Sequence, residues 1–272
     1  PEKLASEGRA LLARLAQEQE ASERLLRNAS LADLLQRFLQ QANAASDMTY
    51  GGFGDNEKYP HLPQLDALLS LTAVVPDASL TAFLGMTLDV MLQNGLRDQL
   101  GGGFFRYTTD REWRIPHYEQ MLYTQALALR VLARAGEQLK EQRYTDAAEA
   151  VLVNMLRAFR RSDGLFRSSL SAVGHDGTDG GHYLWEPGDL DELLGSESRD
   201  SLEVLVETPD GILPGLAPDA PESLRMKLLQ SREQRPPPAD DKALLGLNGL
   251  VLSALAAMNG NPEAREAGER LA

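Results

Sequence analysis

The chain has 272 residues, with 27 Lys and Arg against 40 Asp and Glu, for a net charge of −13. That balance excludes a general nucleic-acid binder, because phosphate backbones reward Lys and Arg. No apolar run nears the roughly 20 residues that span a bilayer, and zero cysteines exclude disulfides, thiolate zinc sites and cysteine nucleophiles. With 43% hydrophobic and 25% charged residues the composition is that of a folded soluble chain. The sequence opens at Pro1 with no secretory signal, so the expectation is a cytoplasmic protein whose natural start lies upstream.

In chain order, residues 1–28 read as a long polar helix with Leu4, Leu11, Leu15 and Leu25 near one stripe. Ser30 is a plausible N-cap for a second helix. Apolar helical patterns recur at residues 62–75, 79–96, 118–139 and 146–160, then at 189–194, 221–229, 244–258 and 262–271. Strand signals are short: 165–169 with 182–185, and 202–207 with 212–213, read as hairpins in loops. Gly-containing turns start at positions 51, 101, 163 and 210, with space for about two helices in each of the first two intervals. Such a period predicts stacked helical hairpins in a solenoid or closed toroid.

The densest chemistry lies in DQLGGGFFRYTTDREWRIPHYEQMLY, residues 98–123. It gathers Arg106, Tyr107, Asp110, Trp113, Arg114, His117, Glu119 and Tyr123 beside three glycines. Pro116 is suited to the first position of a helix, which predicts His117 and Glu119 in its first turn. There His117 could act as acid or base with Glu119 as partner. The bland alternative, a first-turn acid and a packed Trp113, carries equal weight on composition.

Three other segments hold polar groups. GHDGTDGGHYLW, residues 174–185, places His175, Asp176, Asp179 and His182 together; a metal site is the minor reading and an Asx-rich turn the major one. REQRPPPADDKALLGLNGL, residues 232–250, pairs Asp240 with Asp241 ahead of a helix, either as an acid/base pair or as a cap neutralised by Lys242. Asn248 before Gly249 inside that apolar helix needs a polar partner, the Asp pair or a ligand hydroxyl. GGFGDNEKYPHLPQL, residues 51–65, lacks the order of a phosphate loop and of a dinucleotide fold, and no serine-nucleophile elbow occurs in the chain.

Together GGFG…KYPHLPQL, the 98–123 block, GGHYLW and R-x-x-R-P-x-x-x-DDK-x-L-x-x-x-NGL resemble the spermatogenesis-associated protein 20 family. The resemblance runs in blocks from about Gly51 to Leu255 and implies an all-α fold. That fold is an incomplete or shortened (α/α)6 toroid of the six-hairpin, glycosidase-like kind, with small β-hairpins in loops. It further implies that residues 1–28 connect to a thioredoxin-like domain and that 29–272 belong to the toroid. By the same resemblance the expected function is carbohydrate-active, a sugar epimerase, isomerase or glycosidase-like hydrolase acting on a small carbohydrate. His117, Glu119, Asp110 and Asp241 would be catalytic. Arg106, Tyr107, Trp113, Arg114, Tyr123, Lys58, Asp240 and Asn248 would bind substrate, with no cofactor and no metal. The enzyme reading requires His117, Glu119 and Asp241 to share one cavity. Departures from the family pattern, notably Leu247 in place of a tryptophan and an altered acidic turn near 172–176, favour the alternative. In that reading the chain is a catalytically degenerate binding or scaffold module that works with a thioredoxin-like domain.

Overall fold

The computed structural model describes residues 2–195, 201–217, 219–258 and 260–272, with the side chains of all of these except 2–5 and 21–28. The chain divides into two compact units, residues 1–46 and 47–272. The first contains α1 (Glu2–Asn28) and α2 (Leu31–Ala45). Ser30 caps α2 as expected: its hydroxyl accepts from the Asp33 N–H at 3.2 Å, and the Asp33 carboxylate accepts from the Ser30 N–H at 3.0 Å. The side chains of Leu4 and Leu25, half of the leucine stripe, lie outside the described residues.

The second unit is mostly helical. It contains α3 (Leu62–Val74), α4 (Ala78–Gln93), α5 (Leu122–Leu139), α6 (Gln142–Asn154), α7 (Pro187–Leu194), α8 (Glu222–Arg232), α9 (Leu245–Ala257) and α10 (Pro262–Leu271). Helix α5 is the hub, packing on α3, α6 and α9, while α3 packs on α4 and α9 on α10. Its sequence explains this role. Leu122, Ala126, Leu129 and Leu132 share one stripe, and Ala128, Val131, Ala135 and Gly136 keep the other sides narrow, so three helices approach it. No helix among the described residues is long and apolar enough to cross a membrane.

The Gly-turn period marks helix pairs only in its first two intervals, α3 with α4 and α5 with α6; the third holds α7 and the start of a β-hairpin. Short strands fill the loops: β1 (Tyr107–Thr108), β2 (Pro116–His117), β3 (Gln120–Met121), β4 (Ser169–Leu170), β5 (Leu202–Thr208), β6 (Gly211–Leu216) and β7 (Ala239–Asp240). The β5–β6 hairpin forms as expected and runs longer. The hairpin expected between 165–169 and 182–185 does not form. Strand β4 instead lies between β3 and β7, and Trp185 bridges to Ile212.

A second correction concerns Pro116. It opens β2, not a helix, and α5 begins at Leu122, so His117 and Glu119 precede the helix rather than occupy its first turn. The cause is tertiary. Pairing of β1 with β2 and of β3 with β4 holds residues 116–121 extended. Buried Gln120 is fixed by a 3.1 Å hydrogen bond from the Asn154 amide. Helix α6 starts earlier than the apolar pattern indicated and ends in a π turn, Met155–Phe159.

Candidate functional site

The site is built outward from a buried lysine. The Lys58 side chain is fully enclosed, and its ammonium donates to Asp47 at 2.8 Å and to the carbonyls of Gly51 at 3.1 Å and Gly54 at 2.6 Å. All three ammonium protons are thereby used, so Lys58 anchors the loop and is not available to a substrate. The same Asp47 carboxylate accepts from Arg111 at 2.7 and 3.0 Å and from the N–H groups of Thr49 and Tyr50. Trp113, expected either to bind substrate or to pack in the loop, is packed and closes this loop. It is buried with a left-handed backbone (φ +64°), and its indole N–H donates to the Tyr50 carbonyl at 2.9 Å. Gly52 is required here, because a Cβ would lie 2.5 Å from the indole ring.

Backbone hydrogen bonds between Lys58 and Thr108, at 3.0 and 2.9 Å, lay the loop along β1. Tyr59 then stacks on Tyr107, with centroids 4.7 Å apart and planes 13° from parallel. Tyr107 lies opposite His117 in the β1–β2 pair and stacks on it at 5.1 Å and 15°. His61 completes the group edge-on, 6.2 Å from Tyr59. Burial first, and the Lys58 charge second, hold its pKa below the ordinary histidine value. Beside the column, the Arg106 guanidinium donates to Glu119 at 3.0 Å. Burial opposes the Arg106 charge, but Glu119 and the Tyr123 hydroxyl raise its pKa on balance. A cavity of about 250 Å³ opens here, lined by residues 59–64 with Arg106, Tyr123, Thr124 and Leu127. The His117 Nδ1 is buried and has no hydrogen-bond partner among the described residues.

Arg106, Tyr107, His117, Glu119 and Tyr123 are thus brought together. Other expected site residues are committed elsewhere. The Asp110 carboxylate accepts from the N–H groups of Arg114 at 3.0 Å and Ile115 at 2.5 Å, closing its own turn. Arg114 is exposed and pairs loosely with Asp110 and Glu112, each at 3.6 Å. Asp240 is neutralised by Lys242 at 3.0 Å. Asp241 pairs with Arg167 at 3.1 Å and is 68% exposed. It follows β7, whereas Glu119 precedes β3, at opposite ends of the sheet and two strands apart. Strand geometry makes that about 14 Å between backbones. Neither Asp caps α9, whose N-cap is Leu244. Asn248 finds a partner, but it is the backbone of Phe166: its carbonyl accepts from the Phe166 N–H at 2.8 Å and its amide donates to the Phe166 carbonyl at 3.1 Å. Tyr59 and His61 were missed as site residues. Their signal was an aromatic and a histidine flanking Pro60, directly after the buried lysine.

The 174–185 loop is a turn. The Asp176 carboxylate accepts from the Thr178 N–H at 3.0 Å, and His182 Nδ1 lies 2.6 Å from the Arg235 carbonyl. No group of three or more His, Asp and Glu among the described residues is placed to hold a metal. Burial, then the charge of Arg232, pushes His182 down to about 4. An unfolded histidine titrates near 6.5, so between these values the unfolded chain binds a proton that the folded chain refuses, and stability falls as pH falls. We expect a loss on the order of 2 kcal/mol between pH 7 and pH 5 from this residue. Urea melts of wild type and His182→Gln at the two pH values check it: the variant should lose that part of the slope.

No protein-family model matches the chain. Human spermatogenesis-associated protein 20 is 30% identical, over 84% of this chain and 36% of that protein. The rat protein is 31% identical, over 84% and 35%. The chain is a relative of spermatogenesis-associated protein 20. It spans about a third of the length of the curated relatives it matches. Among solved structures, a D-mannose isomerase superposes with TM-score 0.52 at 11% identity, covering 87% of this chain and 49% of that one. A family 76 glycoside hydrolase from a bovine Bacteroides thetaiotaomicron strain gives 0.50 at 12%, covering 80% and 35%. At such identities the likeness is one of fold.

Proposed function

We propose that residues 47–272 form an incomplete (α/α)6 toroid that binds a monosaccharide at the Tyr59–Tyr107–His117 column and moves a proton on it, as an epimerase or isomerase does. The supporting observation is the stacked group of His117, Tyr107 and Tyr59 beside the Arg106–Glu119 pair, next to the cavity that Tyr59, Arg106 and Tyr123 line. Asp241 stands apart from Glu119, at the opposite end of the sheet, so His117, Glu119 and Asp241 do not share one cavity and the enzyme reading that needs all three is not met. The proposal rests on proton transfer without Asp241, and a hydrolase, which needs two carboxyls about 5–9.5 Å apart, is the weaker reading. In the proposed reaction His117 takes the proton from the carbon beside the carbonyl of an open-chain aldose. The electron pair moves onto the carbonyl oxygen near Arg106. Return of the proton to C1, with the O2 hydroxyl proton passing to O1, gives the ketose, and its return to the opposite face of C2 after the enediolate turns in the pocket gives the epimer.

The test is proton exchange. Aldoses incubated with the protein in D2O are expected to lose the C2 proton signal, and His117→Ala to abolish exchange while sugar-dependent thermal stabilisation persists. Tyr107→Ala should weaken that stabilisation about tenfold in apparent affinity, because Tyr59 and His117 both stack on Tyr107 and would lose their support. No exchange and no stabilisation with any monosaccharide at millimolar concentration would overturn the reading. Stabilisation without exchange in the wild type would instead favour a binding module working with a thioredoxin-like domain. One observation leans that way: both tryptophans, the usual sugar platforms, are buried.

A further inference from the structure

On a chain of net charge −13, one cavity is lined by arginine. It has about 250 Å³ and is walled by the π turn, the end of α8 and the proline run after it, with Arg157, Arg167, Arg232 and His182 in its lining and exposed Glu233 as the sole carboxylate there. The three guanidiniums differ in how far they are satisfied. Arg232 is spent on Asp98, at 2.9 and 2.7 Å. Arg167 lies within ion-pair distance of Asp241, but its buried Nε–H makes no hydrogen bond among the described residues. Arg157 makes no hydrogen bond or ion pair among the described residues, although the charges of Asp98 and Glu233 act favourably on it against that of Arg232. Arg157 is exposed on the cavity wall, so its donors are accessible to an anion from solvent. The buried Tyr183 hydroxyl has no hydrogen-bond partner among the described residues, and the Arg232 guanidinium lies 5.2 Å over its ring. Five residues wound as a π turn, a geometry frequent at functional sites, carry Arg157 to this wall.

We propose that this cavity is an anion site for a phosphoryl group, free phosphate or a phosphate monoester, gripped by Arg157 and Arg167. Two planar forks with free donors suit a dianion with several acceptor oxygens better than a single carboxylate. The site stands whether or not the tyrosine–histidine column takes a sugar.

Thermal melts and calorimetric titration of the whole chain with inorganic phosphate, a hexose 6-phosphate and acetate, at matched ionic strength, test it. Phosphate is expected to raise the melting temperature where acetate does not. Tighter binding of the hexose phosphate would identify an ester as the ligand, and equal binding free phosphate. Arg157→Gln should weaken phosphate at least tenfold, and Arg157→Lys less. Because Arg157 is exposed and makes no hydrogen bond or ion pair among the described residues, Arg157→Gln should melt no lower than wild type without phosphate, which separates lost binding from lost folding. Arg167→Gln gives an independent second reading. Acetate acting as strongly as phosphate, or Arg157→Gln binding phosphate as wild type does, would overturn the proposal.

Discussion

Arg232→Met is expected to lower the stability of the 47–272 unit by about 3–5 kcal/mol, the range found when one partner of a buried ion pair is removed. Asp98 and Arg232 expose only 2% and 3% of their side chains and meet through two parallel N–H···O bonds. The Asp98 oxygens also accept from the N–H groups of Leu100 at 3.2 Å and Gly101 at 3.0 Å, so the carboxylate is fully satisfied while the arginine is present. Gly101 is part of this arrangement: a Cβ there would lie 2.3 Å from an Asp98 oxygen. Methionine would leave that charge buried against two backbone donors alone. The double variant Asp98→Leu with Arg232→Met should recover much of the loss, since apolar replacements of buried pairs are often neutral. Burial pushes the Asp98 pKa up, yet the Arg232 charge and the Gly101 N–H outweigh it and hold it below the ordinary value. The pair therefore contributes fully above an unfolded aspartate's pKa near 3.9, and its contribution fades as pH falls through the lower folded value. Urea melts from pH 7 to pH 2 would show wild type losing that increment only in acid, and Arg232→Met lacking it throughout.

Lys58→Met is the second large effect, and it reaches the candidate site. Removal of the ammonium exposes the carbonyls of Gly51 and Gly54 to an apolar tip and leaves Asp47 with Arg111 as its one remaining cation. A loss of about 3 kcal/mol or more is expected. In the wild type two cations and two backbone donors hold the Asp47 carboxyl far below the usual range in spite of burial; in the variant Arg111 and the N–H groups of Thr49 and Tyr50 remain to hold its charge. The functional consequence follows from connectivity. Lys58 fixes the backbone that carries Tyr59 onto Tyr107. Lys58→Met should therefore weaken any ligand of the tyrosine–histidine column while leaving phosphate binding at Arg157 unchanged. Parallel titrations with sugar and phosphate on the folded variant would show the split. Lys58→Arg should behave like methionine, because a planar fork does not match three acceptors arranged around a point charge.

Local signals placed the helices well where the apolar face alone decides, as in α3, α4 and the body of α5. They misplaced the start of α5 because Pro116 is compatible with both a first helical turn and a strand. The deciding partners, Ser169 and Asn154, are 48 and 34 residues from Met121 and Gln120. For the same reason Asp240 and Asp241 read as a helix cap: nothing within a few residues announces that Ala239–Asp240 will join β4. The site was legible as a concentration, Arg106 to Tyr123, because those residues are neighbours in sequence. Which of them face outward was not. Trp113 and Lys58 carry the residue types of a ligand site, yet both are interior, one filling the space above Gly52 and the other filling a carbonyl cage. Asn248 shows the limit from the other side: an amide inside an apolar helix must be satisfied, but its chemistry does not say by whom.

The π turn after α6 has a consequence for how this chain tolerates change. An α-helix advances about 100° per residue, and a π turn takes up one residue more than an α turn does. Met155–Phe159 therefore works as a phase shifter between two demands, seating Met155 and Phe159 in the interior while turning Arg157 to the cavity. Deleting one residue there would restore regular winding and rotate one demand out of step with the other. Substitutions in this turn should be absorbed far more readily than any change in its length.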